Sequence, residues 1–542
     1  MTRQRHQMLS AFLLLGAAVG YLAAVEPTGK PWESVFQLFW PFWLLLLAAV
    51  GAFCLTVVES PVRDVTAVLF SSISGVAATL VSLEWGTIYG PHDGWVALGI
   101  LNTGNLLSVP YPGLHHAIPV VAPVLGISNQ TAVQFLPLLI AAGGPLLAYP
   151  AIRIVVSAPQ TRQLALVAFF PAFFLRFVPR PFSLAMVFLP LVYWLSVRQR
   201  RLAVNGLTVG AAAVVTFIHP LVAIFAAVIF GVARYTNDDK PSPLILFLIG
   251  VFIIGQLFVW GGFGLYATRS TVVALLFETS AGEQSAVGGG SLIVEALTTF
   301  QGFREFLART SFVIAIGIAA TVGAITYARR SGPSLTAVSY ISSLLIGGFF
   351  IVVAFVVPVG VGIYRALLVA PIVLLPAAVR ALSLTRRQAT TVSLALLIVT
   401  SGLGVAYLTP EFTGGRVYSA TPQQAASVEW TQQHRGESTV LGGYVTAWMV
   451  EGMYGQAASE QWSPTPRRAS VEYLSREYGP PWLTERMSPA GLAIVSELDL
   501  TREDYCYPEF ETGANRVYSN AESSVFQPRS FQCDGRIWGS SN

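Results

Sequence analysis

Charged residues are scarce in this sequence, since Asp, Glu, Lys and Arg together make up 11% of its 542 residues. In a soluble domain roughly a quarter of the residues are charged. Hydrophobic residues reach 54%, and the mean hydropathy is +0.61. These values exclude a soluble globular protein as the whole chain. They predict an α-helical polytopic membrane protein embedded in a lipid bilayer.

Lysine is nearly absent, and Lys30 and Lys240 are its only two positions. The other basic residues are arginines, and they form no basic run of the length that nucleic-acid binding needs. The sequence also lacks the glycine patterns of phosphate-binding loops and the Gly-x-Ser-x-Gly elbow of serine hydrolases. We therefore expect no nucleic-acid partner and no cofactor.

Cysteine is equally rare, with three in the chain. Cys54 lies in an apolar run and is expected to pack as a small hydrophobic residue. Cys506 and Cys533 lie in the tail, which is expected to face outward, so the oxidising environment makes them a disulfide candidate. Metal binding through His115 and His116 is not expected, because adjacent residues point apart and no Cys or carboxylate stands at the usual spacing.

The charge is divided unevenly along the chain. Residues 1–408 contain 22 Lys and Arg against 12 Asp and Glu, whereas residues 409–542 contain 10 against 16. We interpret the first part as a multi-pass transmembrane domain and the second as a separate soluble domain. Within the second part, Thr421–Trp430 is typical of a helix, Thr439–Leu441 of a strand, and Asn515–Asn520 of a last strand and turn. A small α/β fold is the prediction for this domain.

Long apolar runs dominate the first domain, and about 20 apolar residues suffice to cross a hydrocarbon core about 30 Å thick. The run from Leu207 to Phe230 is ambiguous, because His219-Pro220 in its middle favours either two short helices or one kinked span. Two helices place a set of arginines in the cytoplasm, as the positive-inside bias requires. These are Arg198, Arg200, Arg201, Arg329, Arg330, Arg386 and Arg387. The prediction is about 13 transmembrane helices in the cell membrane, a cytoplasmic N-terminus and an extracytoplasmic C-terminal domain.

This topology creates two large outer loops, at 84–116 and 263–308. The first is the candidate site, because ionisable groups beside a bilayer are costly unless they face water, a partner or a substrate. An ordinary solvated loop is the alternative interpretation. The ionisable residues concerned are His92, Asp93, His115 and His116.

Two further segments are expected at the outer face. Residues 117–127 are apolar but contain prolines, so they are expected to lie at the interface rather than to span the membrane. Asn129 follows in the tripeptide Asn-Gln-Thr and is a glycosylation candidate. In the second loop, Ser291–Leu307 mixes apolar and charged residues as a helix on the membrane surface does.

Several short motifs stand at these outer positions. They are Asp93 in the first loop, Tyr111-Pro-Gly-Leu-His115, the His219-Pro220 break, Tyr364-Arg365 at an outer helix end, and Val517-Tyr-Ser-Asn520 in the tail. Together they resemble the GT-C superfamily of integral-membrane glycosyltransferases, in its archaeal and bacterial mannosyltransferase-like branches that use lipid-phosphate sugars. The resemblance covers the whole architecture, through motifs that are individually short.

The resemblance implies a function and a site. In that family the loop aspartate is the base or orienting carboxylate, and an arginine at a late outer helix end can hold the lipid phosphate. These roles would fall to Asp93 and Arg365. The substrate-binding residues would be His92, Tyr111, His115, His116, His219 and Tyr364. A sugar would pass from a polyprenyl (dolichyl) phosphate donor to a glycan, lipid-linked or protein acceptor, with inversion and without a metal.

Two other function classes fit the composition. A transporter or lipid flippase would place charges near the middle of the bilayer and often shows repeated halves. In this sequence the ionisable residues gather at outer loops and no repeat is visible, which favours the transferase. The other class is an assembly or anchoring subunit without chemistry.

Overall fold

The computed structural model is mostly helical, which confirms the helical class that the composition predicts. Its helices and strands are those expected of apolar runs followed by a mixed tail. The structure describes residues 2–25, 35–85, 112–127, 129–174, 181–198, 202–236, 247–249, 251, 303, 314–325, 335–356, 372–379, 422–434, 440–442, 492–496, 514–520 and 523–528.

The helices that the structure describes from end to end are numbered here in chain order. They are α1 (Thr2–Ala24), α2 (Val35–Glu59), α3 (Asp64–Trp85), α4 (Pro112–Leu125), α5 (Asn129–Val155), α6 (Pro159–Phe174), α7 (Pro181–Met186), α8 (Leu189–Ser196), α9 (Leu202–Ile218), α10 (Pro220–Thr236), α11 (Leu335–Val356) and α12 (Pro422–His434).

The helices best suited to cross a membrane lie within the first 155 residues. Among the described residues, three helices are long and apolar enough to cross a membrane, namely Arg3–Ala24, Trp40–Glu59 and Pro137–Val155. Shorter apolar helices include Asp64–Leu80 and Leu202–Ile218. These helices support a membrane protein, and the count of 13 crossings stays a prediction.

The first two helices pack side by side in opposite directions. Arg3 at the start of α1 lies 3.4 Å from Glu59 at the end of α2. Beside this pair, the side-chain amide of Gln4 donates to the carbonyl of Ser60 at 3.1 Å. The Arg3 side chain is 82% exposed, so this ion pair marks the alignment of the helices and contributes little stability.

Serine hydroxyls from neighbouring helices bind carbonyls just before prolines. Ser72 Oγ on α3 donates to the carbonyl of Ala142 on α5 at 2.6 Å, three residues before Pro145. Ser339 Oγ on α11 donates to the carbonyl of Val373 at 2.5 Å, three residues before Pro376. A proline removes the helical N–H partner of the carbonyl four residues before it, which is Ala141 for Pro145 and Ile372 for Pro376, and it distorts that turn. The serine hydroxyls bind the next carbonyl along in each distorted turn and join the helices.

Proline also divides the apolar run from 184 to 196. The structure has two helices there, α7 and α8, with a turn at 187–188. Pro190 cannot donate the backbone hydrogen bond that would continue α7 through the turn. The run from 207 to 230 is likewise divided into α9 and α10, which meet at His219.

In the tail, a mixed sheet carries one helix. The strands are β1 (Val440–Gly442), β2 (Leu492–Ser496), β3 (Ala514–Ser519) and β4 (Ser523–Pro528). Their order is β1-β2-β4-β3, with β1 parallel to β2 and the other pairs antiparallel. Ile494 and Val525 are opposite each other in the register and fully buried. Helix α12 presents buried Val428 and contacts this sheet.

The prediction that the tail lies on the extracytoplasmic side of the membrane can be tested directly. A reporter enzyme that folds only outside the cytoplasm is expected to be active when fused after Leu408, because the arginine bias requires 13 crossings. A cytoplasm-specific reporter at the same position is the paired control and should be silent. The opposite pattern would refute this topology.

Candidate functional site

Most of the candidate residues lie outside the described residues. This applies to almost all of the loops 84–116 and 263–308, and to the disulfide candidate. The residues concerned are His92, Asp93, Tyr111, Tyr364, Arg365, Cys506 and Cys533. The structure does place His219, and it places the backbone of His115, His116 and Asn129 in helices.

His219 forms the joint between α9 and α10. Its N–H donates to the carbonyl of Val215 at 2.9 Å, and its own carbonyl accepts from the N–H of Val222 at 3.0 Å. Pro220 opens α10, a position where the missing N–H of proline costs nothing. The backbone therefore passes through the break with its hydrogen bonds made.

The imidazole of His219 is buried in this joint. The side chain is 3% exposed, and the ring of Phe182 on α7 lies edge-on to it, with ring centroids 5.1 Å apart and an interplanar angle of 80°. Such edge-on aromatic contacts are attractive and fix the orientation of both rings. This geometry suits a residue that positions helices, and contact between His219 and a substrate stays a prediction.

The beginning of α4 packs directly on the same joint. A Cβ atom added at Gly113 would lie 2.7 Å from Ile218 Cα and 2.7 Å from the carbonyl oxygen of Phe217. Only glycine allows this approach of two backbones. Two motifs that are distant in sequence, Tyr111–His115 and His219-Pro220, are thereby brought together. His115 and His116 belong to the first turns of α4, beside this contact.

Gly113→Ala is expected to push α4 away from α9 and lower the free energy of unfolding by about 1–3 kcal/mol, as overpacking does. Gly210→Ala on α9 is the matched control, because a Cβ there meets nothing within 4 Å. Alanine at this helical position should be neutral or slightly stabilising. Thermal denaturation of both variants in the same detergent measures the difference. Equal midpoints would contradict the close approach at Gly113.

Sequence reasoning missed a polar cluster that joins other helix ends. Asp64 begins α3, and its carboxylate accepts three hydrogen bonds. Oδ2 accepts from Arg162 Nη2 at 2.8 Å and from the Tyr149 hydroxyl at 2.5 Å. Oδ1 accepts from Gln163 Nε2 at 2.9 Å. The Arg162 side chain is 12% exposed and that of Asp64 is 21% exposed, so the ion pair is largely shielded from water.

Gln163 extends this cluster to the turn between α2 and α3. Its Nε2 donates to the carbonyl of Val62 at 2.7 Å, and its Oε1 accepts from the N–H of Val62 at 3.1 Å. The cluster therefore ties the α2–α3 turn to the start of α6. In the 13-crossing topology these ends face the cytoplasm, opposite to Asp93. Ionisable residues beside two apolar runs were the available signal, but their pairing depends on the fold.

No group of three or more His, Cys, Asp or Glu that could hold a metal ion occurs among the residues that the structure describes. In the comparisons with known proteins, neither a protein-family model nor a curated protein matches this chain. The function is therefore inferred from the chain's own residues and from where the structure places them.

Proposed function

We propose that this protein is a membrane glycosyltransferase. It moves a sugar from a polyprenyl phosphate donor to a glycan, lipid-linked or protein acceptor at the outer face. The observation that supports this most is the contact of Gly113 with the backbone of Phe217 and Ile218. It brings together two of the motifs through which the sequence resembles the GT-C superfamily, Tyr111–His115 and His219-Pro220.

The reaction is a single displacement. The carboxylate of Asp93 takes the proton from an acceptor hydroxyl while the hydroxyl oxygen forms a bond to the anomeric carbon of the sugar. The bond from that carbon to the phosphate oxygen breaks, and the electron pair leaves with the polyprenyl phosphate. Attack opposite the leaving group inverts the anomeric centre.

Arg365 stabilises the leaving phosphate in this proposal. Its guanidinium is always charged and presents paired N–H donors to phosphate oxygens. Groups that meet developing charge in a site shielded from water contribute strongly to transition-state stabilisation. The polyprenyl chain lies against the apolar helices, which explains why the catalyst is built within the membrane.

A reconstitution assay tests the proposal. The purified full-length protein is placed in vesicles with a radiolabelled hexosyl polyprenyl phosphate and a mixture of neutral oligosaccharide and peptide acceptors. We expect label to move to an acceptor and free polyprenyl phosphate to appear in equal amount. Movement of the intact labelled lipid across the bilayer, without transfer, would instead identify a flippase.

Arg365→Lys is expected to weaken donor use, because a point charge replaces a planar fork of donors. We expect an increase in the KM for the donor of roughly tenfold, which corresponds to about 1.4 kcal/mol. Arg153→Lys is the matched control, since Arg153 is exposed in the last turn of α5. An unchanged donor KM and kcat in Arg365→Lys would mean that Arg365 only extends toward the lipid headgroups.

A further inference from the structure

A stack of three aromatic rings lies on the α/β unit of the tail. Trp430 and His434 are one turn apart on α12, and their ring centroids are 4.4 Å apart with an interplanar angle of 13°. Tyr518 on β3 stacks on Trp430 at 4.8 Å and 22°. We call these three residues the ring surface. A helix and a strand that are distant in sequence both contribute to it.

The ring surface is separate from the core of this unit. The core-facing side chains of α12 are Ser427, Val428 and Thr431, which are fully buried. His434 is exposed, and Trp430 and Tyr518 are half-buried. Large aromatic side chains that are not needed for the core and remain accessible are typical of binding surfaces.

Three polar side-chain groups lie at the ring surface. Nδ1 of His434 lies 2.7 Å from the carbonyl oxygen of Trp430. A carbonyl only accepts, so Nδ1 carries a proton and donates in this bond, and the other ring nitrogen, Nε2, takes no part in it. The side-chain amide of Asn520 lies 3.5 Å from the Tyr518 hydroxyl and donates to Ser427 Oγ at 3.2 Å.

We infer that the ring surface binds a neutral glycan, as a second site distinct from the proposed catalytic loop. Sugars present a face of ring C–H groups, which packs on an aromatic plane, and a rim of hydroxyls. Those hydroxyls both donate and accept, so they match an imidazole nitrogen, an amide and a phenol hydroxyl. A quaternary ammonium ligand also packs on aromatic rings, but it has no hydroxyls to bond the imidazole, the amide and the phenol. This inference does not depend on transferase activity.

The test uses the full-length protein in detergent and saturation-transfer NMR with two probes, neutral hexose oligosaccharides and tetramethylammonium. We expect the oligosaccharides to bind, and His434→Ala to weaken binding roughly three- to tenfold, as loss of one aromatic contact does. Trp430→Phe should weaken it as well while keeping a ring in the stack. Gln433→Ala, an exposed neighbour on the same helix, is the matched control and should bind normally.

The His434→Ala variant separates the two sites, because its rate of sugar transfer should stay that of the wild type while its oligosaccharide binding falls. No oligosaccharide binding by the folded wild-type protein would overturn the inference. It would also be overturned if tetramethylammonium alone bound, or if His434→Ala and Trp430→Phe bound like the wild type. A protein that binds glycans at the ring surface but transfers no sugar would refute only the proposed function.

Discussion

Asp93→Asn is expected to reduce sugar transfer by about 100-fold or more while the protein still folds. Asparagine keeps the size and most of the hydrogen bonding of aspartate, but it cannot accept the proton of the acceptor hydroxyl. Asp93 belongs to a loop predicted at the outer face, so the loss of its charge should hardly change the melting temperature. Only the rate of the chemical step should fall.

The variant is expressed in a strain that lacks the wild-type gene. Mass spectrometry of the surface glycans of that strain then shows whether one sugar is missing. Glu84→Gln is the matched control, because it makes the same acid-to-amide change in the last turn of α3, just before that loop. We expect complete glycans from that variant. Complete glycans from Asp93→Asn as well would remove the assignment of Asp93 and most of the preference for a transferase over a transporter.

Helices and strands could be predicted where the local pattern was strong. Thr421–Trp430 anticipated α12, and Asn515–Asn520 anticipated β3 within one residue at each end. The prediction that this strand is the last one was wrong, because β4 follows it and pairs with it. Their turn residues and periodic apolar positions act locally, so the sequence carries them directly. Residues 117–127 were predicted as a separate interfacial segment, but most of them belong to α4, which begins earlier, at Pro112. Gly126 has a φ of +66°, and the N–H of Ile127 donates to the carbonyl of Ala122, which is a common way for a glycine to end a helix.

Tertiary partners could not be predicted. The sequence marked His219-Pro220 as a break, but the burial of His219 against Phe182 follows from the way α7, α9 and α10 meet. Gly113 belongs to the Tyr111–His115 motif, but the backbone of Ile218 is the reason why this position must be glycine. No local pattern encodes such a contact, because the two segments are joined only by the packing of the intervening helices.

Asp64→Ala is expected to lower the free energy of unfolding by about 2–4 kcal/mol, the second large effect in this protein. The change removes the acceptor of three hydrogen bonds and leaves the guanidinium of Arg162 largely buried without its carboxylate. The expected loss of stability is smaller than for a fully buried ion pair, because the Asp64 side chain is 21% exposed. Turnover of the folded fraction should stay near normal, since the predicted 13-crossing topology puts the cluster at the face opposite to Asp93.

Denaturation of the purified protein in one detergent measures this effect, and Glu59→Ala is the control. Glu59 also pairs with an arginine, but both partners are exposed, so its loss should cost no more than about 0.5 kcal/mol. The double variant of Asp64 and Arg162 should be less destabilised than the sum of the single alanine variants, because each single change strands a charge that the double change removes. Additive effects, or an Asp64→Ala midpoint equal to that of Glu59→Ala, would show that the α2–α3 turn is held to α6 by apolar packing alone.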